Sequence, residues 1–201
     1  MPRALVYGIA IAGTATMRAL AARGYTVVAA DDEITEAKSA IANELGIELI
    51  ESPDEPTIRR LVLDTDLVAP APGVPETHAV VKAALELGRP LRTEIDLAYQ
   101  WEQQRAGGAR PMLAITGTDG KTTTTLLATE MLQAAGLRAM AVGNTDVPLI
   151  EAIDDVSLDA FVVECTSFRL SWTTCFRAEA SAWLNLAPDH LNWHRDFVSY
   201  E

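Results

Sequence analysis

The chain has 201 residues, 49% hydrophobic and 22% charged, the balance of a folded globular protein and not of a disordered tail. Its formal net charge of -12 opposes a nucleic-acid partner, because sequence-independent affinity for a phosphate backbone comes largely from Lys and Arg. A single nucleotide is not excluded, since a few backbone N–H groups and one Lys supply positive field locally.

Apolar, β-rich runs alternate with helical periodicity from the start. Ala4–Ile9 reads as a strand, Thr14–Arg23 as a helix, Thr26–Ala30 as a strand, Thr35–Leu45 as a helix and Ile47–Ile50 as a strand. Leu67–Ala71 is a further strand ending at Pro72-Gly73, and Glu76–Leu87 is a helix stopped by Gly88 and Pro90. Parallel neighbours need crossovers, so this is a parallel sheet with covering helices. The polar stretch 101–111 loses the apolar period and reads as a linker between a first domain, 1–100, and a second, 112–201. There the pattern restarts with a strand Met112–Thr116, a glycine turn and a helix from Lys121 to about Ala135. Strands Ala139–Val142, Phe161–Glu164 and Ala182–Leu186 follow, and another helix begins near Tyr200, so the second domain reads as cut short. The expected class is α/β: a Rossmann-like parallel-sheet domain, then a truncated P-loop-type α/β domain.

Cys165 and Cys175 have neither Cys-x-x-Cys nor zinc-finger spacing, and buried free thiols are expected. No signal-peptide core follows Met1-Pro2-Arg3, and no apolar run reaches the ~20 residues of a membrane helix. A cytoplasmic protein with no membrane partner is expected, and a monomer.

The sharpest motif is Gly117-Thr118-Asp119-Gly120-Lys121-Thr122, a strand running through a glycine turn into a helix. That arrangement aims unpaired N–H groups and the positive helix end at one point, where a polyphosphate fits. Lys121 can reach the outer phosphates, and the Thr122 hydroxyl can hold a bridging Mg2+. The loop is a shortened variant of G-x-x-x-x-G-K-[ST], with an apolar residue of Ala114-Ile115 where the first Gly would fall. The alternative is a plain strand-to-helix turn with a surface Lys.

Thr116 to Thr123 resembles the ATP loop of the Mur ligase family. Gly143-Asn144 with Val147-Pro148 is similar to the family's G-N-x-G-x-P turn, Val163–Phe168 to its E-x-S-S-F segment, and Leu184–Leu191 to its L-N-[IV]-x-x-D-H-[LM] segment. Four ordered motifs weigh more than any one. The resemblance implies ATP binding by Gly117, Thr118, Asp119, Gly120, Lys121, Thr122 and Thr123, with Thr122 and Glu164 holding the ATP-bound Mg2+. It implies a second metal at His190, a catalytic role for Lys121 and His190, and a substrate contact at Asn144. Without it, Glu164 could be a strand-end surface carboxylate, His190 a structural histidine and Asn144 a left-handed turn residue. Arg169 stands where the family commonly has Gln, Thr145-Asp146 where it has an apolar residue and Gly, Cys165 where it has Leu, and Asn192 where it has Asp.

Gly8-Ile9-Ala10-Ile11-Ala12-Gly13, with Asp31 at the end of the second strand, is by itself a weakened dinucleotide fingerprint. A nicotinamide oxidoreductase is therefore an alternative, as is a βαβ unit with no ligand. Within the family this half is most similar to the branch that adds D-glutamate to UDP-N-acetylmuramoyl-L-alanine. That likeness places Ile11, Ala12, Gly13, Thr14, Asp31 and Asp32 at a UDP site, and Ala71-Pro72-Gly73 at its S-P-G turn. It implies amide formation through an acyl phosphate in peptidoglycan precursor synthesis. Sister ligases for L-alanine, diaminopimelate or folate glutamylation share the central motifs, and a non-catalytic nucleotide-binding remnant is also open. Family members continue through a carbamylated lysine and a C-terminal domain, so the 201-residue chain is expected to be inactive alone.

Overall fold

Four short runs build the first sheet: β1 (Arg3–Tyr7), β2 (Thr26–Asp31), β3 (Glu48–Glu51) and β4 (Leu67–Pro70). All are parallel, in the order β3-β2-β1-β4. The central β1 and β2 are apolar runs because helices cover both faces, and Ala4, Leu5, Val6, Tyr7 and Val27–Ala30 are buried. The crossovers are α1 (Ile11–Ala22), α2 (Glu36–Leu45) and α3 (Glu55–Leu63), and α4 (Ala79–Glu86) follows β4.

The second sheet contains β5 (Met112–Thr116), β6 (Ala139–Gly143), β7 (Ala160–Glu164) and β8 (Ala180–Trp183), parallel in the order β6-β7-β5-β8. β7 is buried along its whole length. Helices α5 (Glu94–Gln103) and α6 (Lys121–Ala134) are the long ones here, with short α7 (Leu149–Ala152), α8 (Ser167–Leu170) and α9 (Phe197–Tyr200). The computed structural model describes all 201 residues, which divide into two units: Met1–Glu94 with Asn192–Arg195, and Ile95–Leu191 with Asp196–Glu201.

The elements differ from expectation where polar residues are satisfied inside the fold. The stretch 101–111, expected as a linker, is built into the second unit. Trp101–Gln103 are the last turn of α5, and Glu102, 2% exposed, receives the Arg110 guanidinium at 2.7 and 2.8 Å. Arg110 also donates to the carbonyls of Ile153 and Asp155 at 2.6 Å. Gln103, Gln104, Gly107 and Gly108 are exposed as a linker's would be, but Glu102 and Arg110 form a buried ion pair, which composition alone does not separate from solvated residues. Helix α1 starts at Ile11 and not at Thr14, because Gly8, at φ 89°, completes the turn early. Helix α4 starts at Ala79 and not at Glu76, because the His78 side chain caps it. Helix α3 escaped notice because Pro56 reads as a breaker, yet it sits in the first turn, where no N–H is needed. Strand β8 ends at Trp183 and not at Leu186, since Asn185 turns to the loop after β5.

Candidate functional site

Each sheet changes direction of growth beside one strand, β1 in the first and β5 in the second, and the chain there leaves a cleft at the C-terminal strand ends. The helices that follow these two strands share a feature. α2, α3 and α4 have N-termini capped by the side chains of Thr35, Asp54 and His78. α1 begins after Ala10 and α6 after Gly120, neither with a side-chain cap. Both therefore leave first-turn N–H groups unpaired at the cleft, as an anion site requires.

In the second unit, β5 passes through Gly117, at φ 138°, and Gly120, at φ 83°, into α6. The Lys121 ammonium folds back over this loop, donating to the carbonyls of Gly117 and Thr118 at 2.7 and 2.8 Å. Thr122 and Thr123 are exposed on the first turn of α6. The far side of the loop is held by the chain after β8. Thr118 N–H donates to the Asn185 carbonyl at 3.1 Å, Asp119 N–H to Asn185 Oδ1 at 2.9 Å, and Asn185 Nδ2 to the Asp119 carbonyl at 3.0 Å. The Thr118 hydroxyl meets the Ala187 backbone and lies 2.8 Å from the Tyr200 hydroxyl.

The adjacent β7 ends at Glu164, which pairs in register with Ile115 of β5 and Gly143 of β6. Glu164 is 1% exposed. Its Oε1 accepts from Asn144 Nδ2 at 2.9 Å, while its buried Oε2 has no hydrogen-bond partner. A carboxylate oxygen left bare inside a protein is costly unless a cation completes it. Gly143, at φ 96°, admits this approach, since a Cβ there would lie 2.5 Å from the Glu164 carbonyl oxygen. His190 adopts φ 53°, uncommon for a residue with a Cβ. Its Nε2 lies 3.5 Å from Asp189 Oδ2, and its ring meets Phe168 edge-on at 5.1 Å and Tyr200 at 6.4 Å.

In the first unit, a cavity of about 260 Å3 opens at the ends of β1, β2 and β4, lined by Tyr7–Ala10, Asp31, Asp32, Lys38, Gly73 and His78 among others. Asp31 is fully engaged: it accepts from Ile9 N–H at 2.6 Å and Glu33 N–H at 3.1 Å, and pairs with Lys38 at 2.8 Å. Burial opposes its charge, but Lys38 and the two N–H groups together hold its carboxyl below the ordinary value. Asp32 accepts from the Tyr7 hydroxyl at 2.6 Å and faces His78 Nε2 at 3.4 Å, with its side chain still 67% exposed to the cavity. Burial, then the Asp32 hydrogen bond, raises the Tyr7 phenol well above its usual value. Ile11 is exposed at the first turn of α1. Gly13 is packed so closely that a Cβ would enter the van der Waals shell of the Gly8 carbonyl.

Residues 115–201 match the model of the Mur ligase middle domain. The chain is 39% identical over 197 residues to a protein of Mycolicibacterium vanbaalenii named UDP-N-acetylmuramoylalanine--D-glutamate ligase, covering 98% of this chain and 40% of that one. A protein of the same name from Syntrophus aciditrophicus is 38% identical over 200 residues, covering 98% and 43%. The likeness runs through nearly the whole chain, and residues 115–201 carry it as a match to the Mur ligase middle domain. The chain spans about two fifths of the length of these curated relatives. Among solved structures, UDP-N-acetylmuramate:L-alanyl-gamma-D-glutamyl-meso-diaminopimelate ligase from Neisseria meningitides superposes with a TM-score of 0.56 at 20% identity, over 100% of this chain and 65% of that one. UDP-N-acetylmuramate-alanine ligase from Thermotoga maritima gives 0.51 at 21%, over 100% and 45%. At these identities the structures speak for the fold alone.

In this chain, then, the fold gathers Gly117–Thr123, Asn144 and Glu164 at one edge of the second sheet, and Asp31, Asp32 and the start of α1 at one edge of the first. Sequence reading missed Tyr7, Lys38 and His78, which line the first cavity, and gave no role to Asn185, which holds the Gly117–Gly120 loop. A tyrosine ending a buried strand and an asparagine just after one were the available signals. No three His, Cys, Asp or Glu side chains form a metal cage. The orphaned Glu164 oxygen with the Thr122 hydroxyl suits a hard cation that takes most of its ligands from phosphates and water.

Proposed function

We propose that this chain is the nucleotide-binding part of a cytoplasmic ligase that joins D-glutamate to UDP-N-acetylmuramoyl-L-alanine in peptidoglycan precursor synthesis. The observation that carries this reading is the orphaned Glu164 carboxylate oxygen beside a phosphate loop with an uncapped helix. The names of the relatives supply the amino acid and the sugar nucleotide.

On this reading the first-turn N–H groups of α6 and the Lys121 ammonium bind the outer phosphates of ATP. Lys121 must first leave the carbonyls of Gly117 and Thr118. Thr122 and Glu164 would hold Mg2+, which with ATP supplies the activated phosphoryl group that turns the substrate carboxylate into an acyl phosphate. Asn144 fixes the Glu164 carboxylate through its amide and thereby aims the bare oxygen. His190, held in a strained backbone beside Phe168, is the proposed ligand of a second metal. In the first unit, N–H groups at Ile11, Ala12 and Gly13 receive the UDP diphosphate, Thr14 N–H being bonded to the Ala10 carbonyl, and Asp32 faces the nucleoside, with Asp31 bracing the turn. The Gly8–Gly13 turn is thus a nucleotide-sugar end and not a nicotinamide site.

Calorimetric titration of the 201-residue chain tests this directly. Mg2+-ADP should bind the wild type and lose at least about tenfold in affinity in Lys121→Ala, whose charge-assisted contacts are removed. UDP should bind independently and be weakened by Asp32→Asn alone. Equal affinity for ADP with and without Lys121 would remove the central claim. Turnover with D-glutamate is not expected from this chain by itself.

A further inference from the structure

Among the polar groups around the phosphate loop, the one that the function above leaves unexplained is Asn185. It lies two residues beyond β8, outside any helix or strand, yet its side chain makes a two-way pairing with the backbone of Asp119. The carboxamide oxygen accepts from Asp119 N–H at 2.9 Å, and the carboxamide N–H donates to the Asp119 carbonyl at 3.0 Å. An asparagine amide used this way replaces a neighbouring peptide, closing the ring of two hydrogen bonds seen where antiparallel strands pair. The Asn185 main chain adds a third bond from Thr118 N–H at 3.1 Å. It also sets the size of Gly117, since a Cβ there would lie 3.1 Å from both the backbone N and O of Asn185.

The consequence is an unequal loop. Thr118 and Asp119 have committed their N–H groups away from the cleft. Gly120 to Thr123 have not: they start an uncapped helix, whose first N–H groups have no partner within it. We infer that Asn185 is a positioning residue for the phosphate loop, holding Thr118 and Asp119 off the nucleotide so that the phosphates are received by the first turn of α6 and Lys121 alone. This goes beyond the ATP reading above while resting on it for the identity of the anion. It reassigns two residues expected to bind ATP as bracing residues, and it gives a role to the Asn of the L-N-[IV] segment, to which the resemblance assigned none.

Amide hydrogen exchange by NMR, on the free chain and with Mg2+-ADP, tests it. In the wild type the Asp119 amide should exchange slowly while those of Lys121 and Thr122 exchange fast. Asn185→Ala keeps the main-chain bond from Thr118 and should speed Asp119 about tenfold, the worth of one or two partly exposed hydrogen bonds, while Ile115 in β5 is unchanged. ADP affinity should fall severalfold with it. Asn185→Asp retains the acceptor for Asp119 N–H but loses the donor and adds a charge. It should keep the Asp119 amide protected and still weaken ADP, a split that simple loosening of the fold would not produce. An Asp119 amide unprotected in the wild type, or unaffected in Asn185→Ala, overturns the inference. So does an ADP titration that shifts the Asp119 amide as strongly as that of Thr122. If ADP fails to bind the wild type at all, the nucleotide reading falls, and the exchange rates of the free chain still decide the bracing role.

Discussion

Replacing Glu164 with Gln should make the empty chain more stable and the loaded chain less so. Glu164 is 1% exposed, its Oε1 is satisfied by Asn144, and its Oε2 is buried without a partner. Leaving a buried polar atom unpaired costs about 1–3 kcal/mol, more when the group is charged. Gln keeps the shape and the bond from Asn144 and exchanges an unpaired charged oxygen for an unpaired neutral amide, so the gain should be about 1 kcal/mol. In a protein of this size that raises Tm by roughly 2–4 °C. With Mg2+-ATP at about 100 times its dissociation constant, the wild type should gain about 2.7 kcal/mol from mass action, and the variant, lacking the metal-facing oxygen, little or none. Calorimetric scans with and without Mg2+-ATP, and with chelator, should show the order of melting reverse. A variant that melts below the wild type when empty and still rises with Mg2+-ATP would refute the idea that the bare oxygen awaits a cation.

Gly13→Ala should destabilise the first unit by more than about 4 kcal/mol, because the added methyl meets a main-chain carbonyl that has no room to yield; urea unfolding checks this. Glu102→Gln strands the Arg110 guanidinium, 5% exposed, and should cost roughly 3–5 kcal/mol, while the double variant with Arg110→Met should recover much of it. Burial opposes the charge of Asp96, yet N–H groups of Cys175, Phe176 and Thr174 with the Cys175 thiol hold its carboxyl below the ordinary 3.8. Asp96 therefore loses its proton more readily in the folded chain. Its contribution is complete above the ordinary carboxyl range and is lost as pH falls through its lower folded value, and Asp96→Asn should flatten that acid limb in pH-dependent melts.

Much of the fold was legible because the central strands are unbroken apolar runs, Leu5 and Val6 or Phe161 to Val163, which a sheet covered on both faces demands. The candidate site residues were legible as positions, Lys121 after a glycine turn and Glu164 at the end of a buried strand. What the sequence concealed was pairing over distance. Glu102 and Arg110 look like solvated linker residues until their mutual distance is known. Asn185 lies 66 residues from Asp119, and Tyr7 lies 25 from Asp32. No local period records such partners, because each is chosen by the sheet order and not by chain spacing. The boundary between the units was hidden for the same reason, since Trp193 belongs to the first unit through its indole bond to the Pro72 carbonyl, 121 residues away.

A chain with a net charge of -12 and two candidate anion sites must keep its carboxylates off the helix ends that would receive the anion, and the helix starts show how. α2 and α3 carry Glu36 and Glu55 in their first turns, where the helix dipole favours them, and are closed by side-chain caps. α1 and α6 have no acidic residue in the first turn and no capping side chain. Each follows a glycine turn at the strand beside which its sheet reverses. The positive end that α2 and α3 spend on their own residues is thus left open in the two helices that face the clefts. Asp119, in the loop before α6, has both its main-chain polar groups held by Asn185. Glu164, at the end of β7, is a carboxylate with an oxygen to give to a metal. An acidic surface and a candidate phosphate site are compatible because charge is sorted at the first turn of each helix, within the reach over which a helix end is felt.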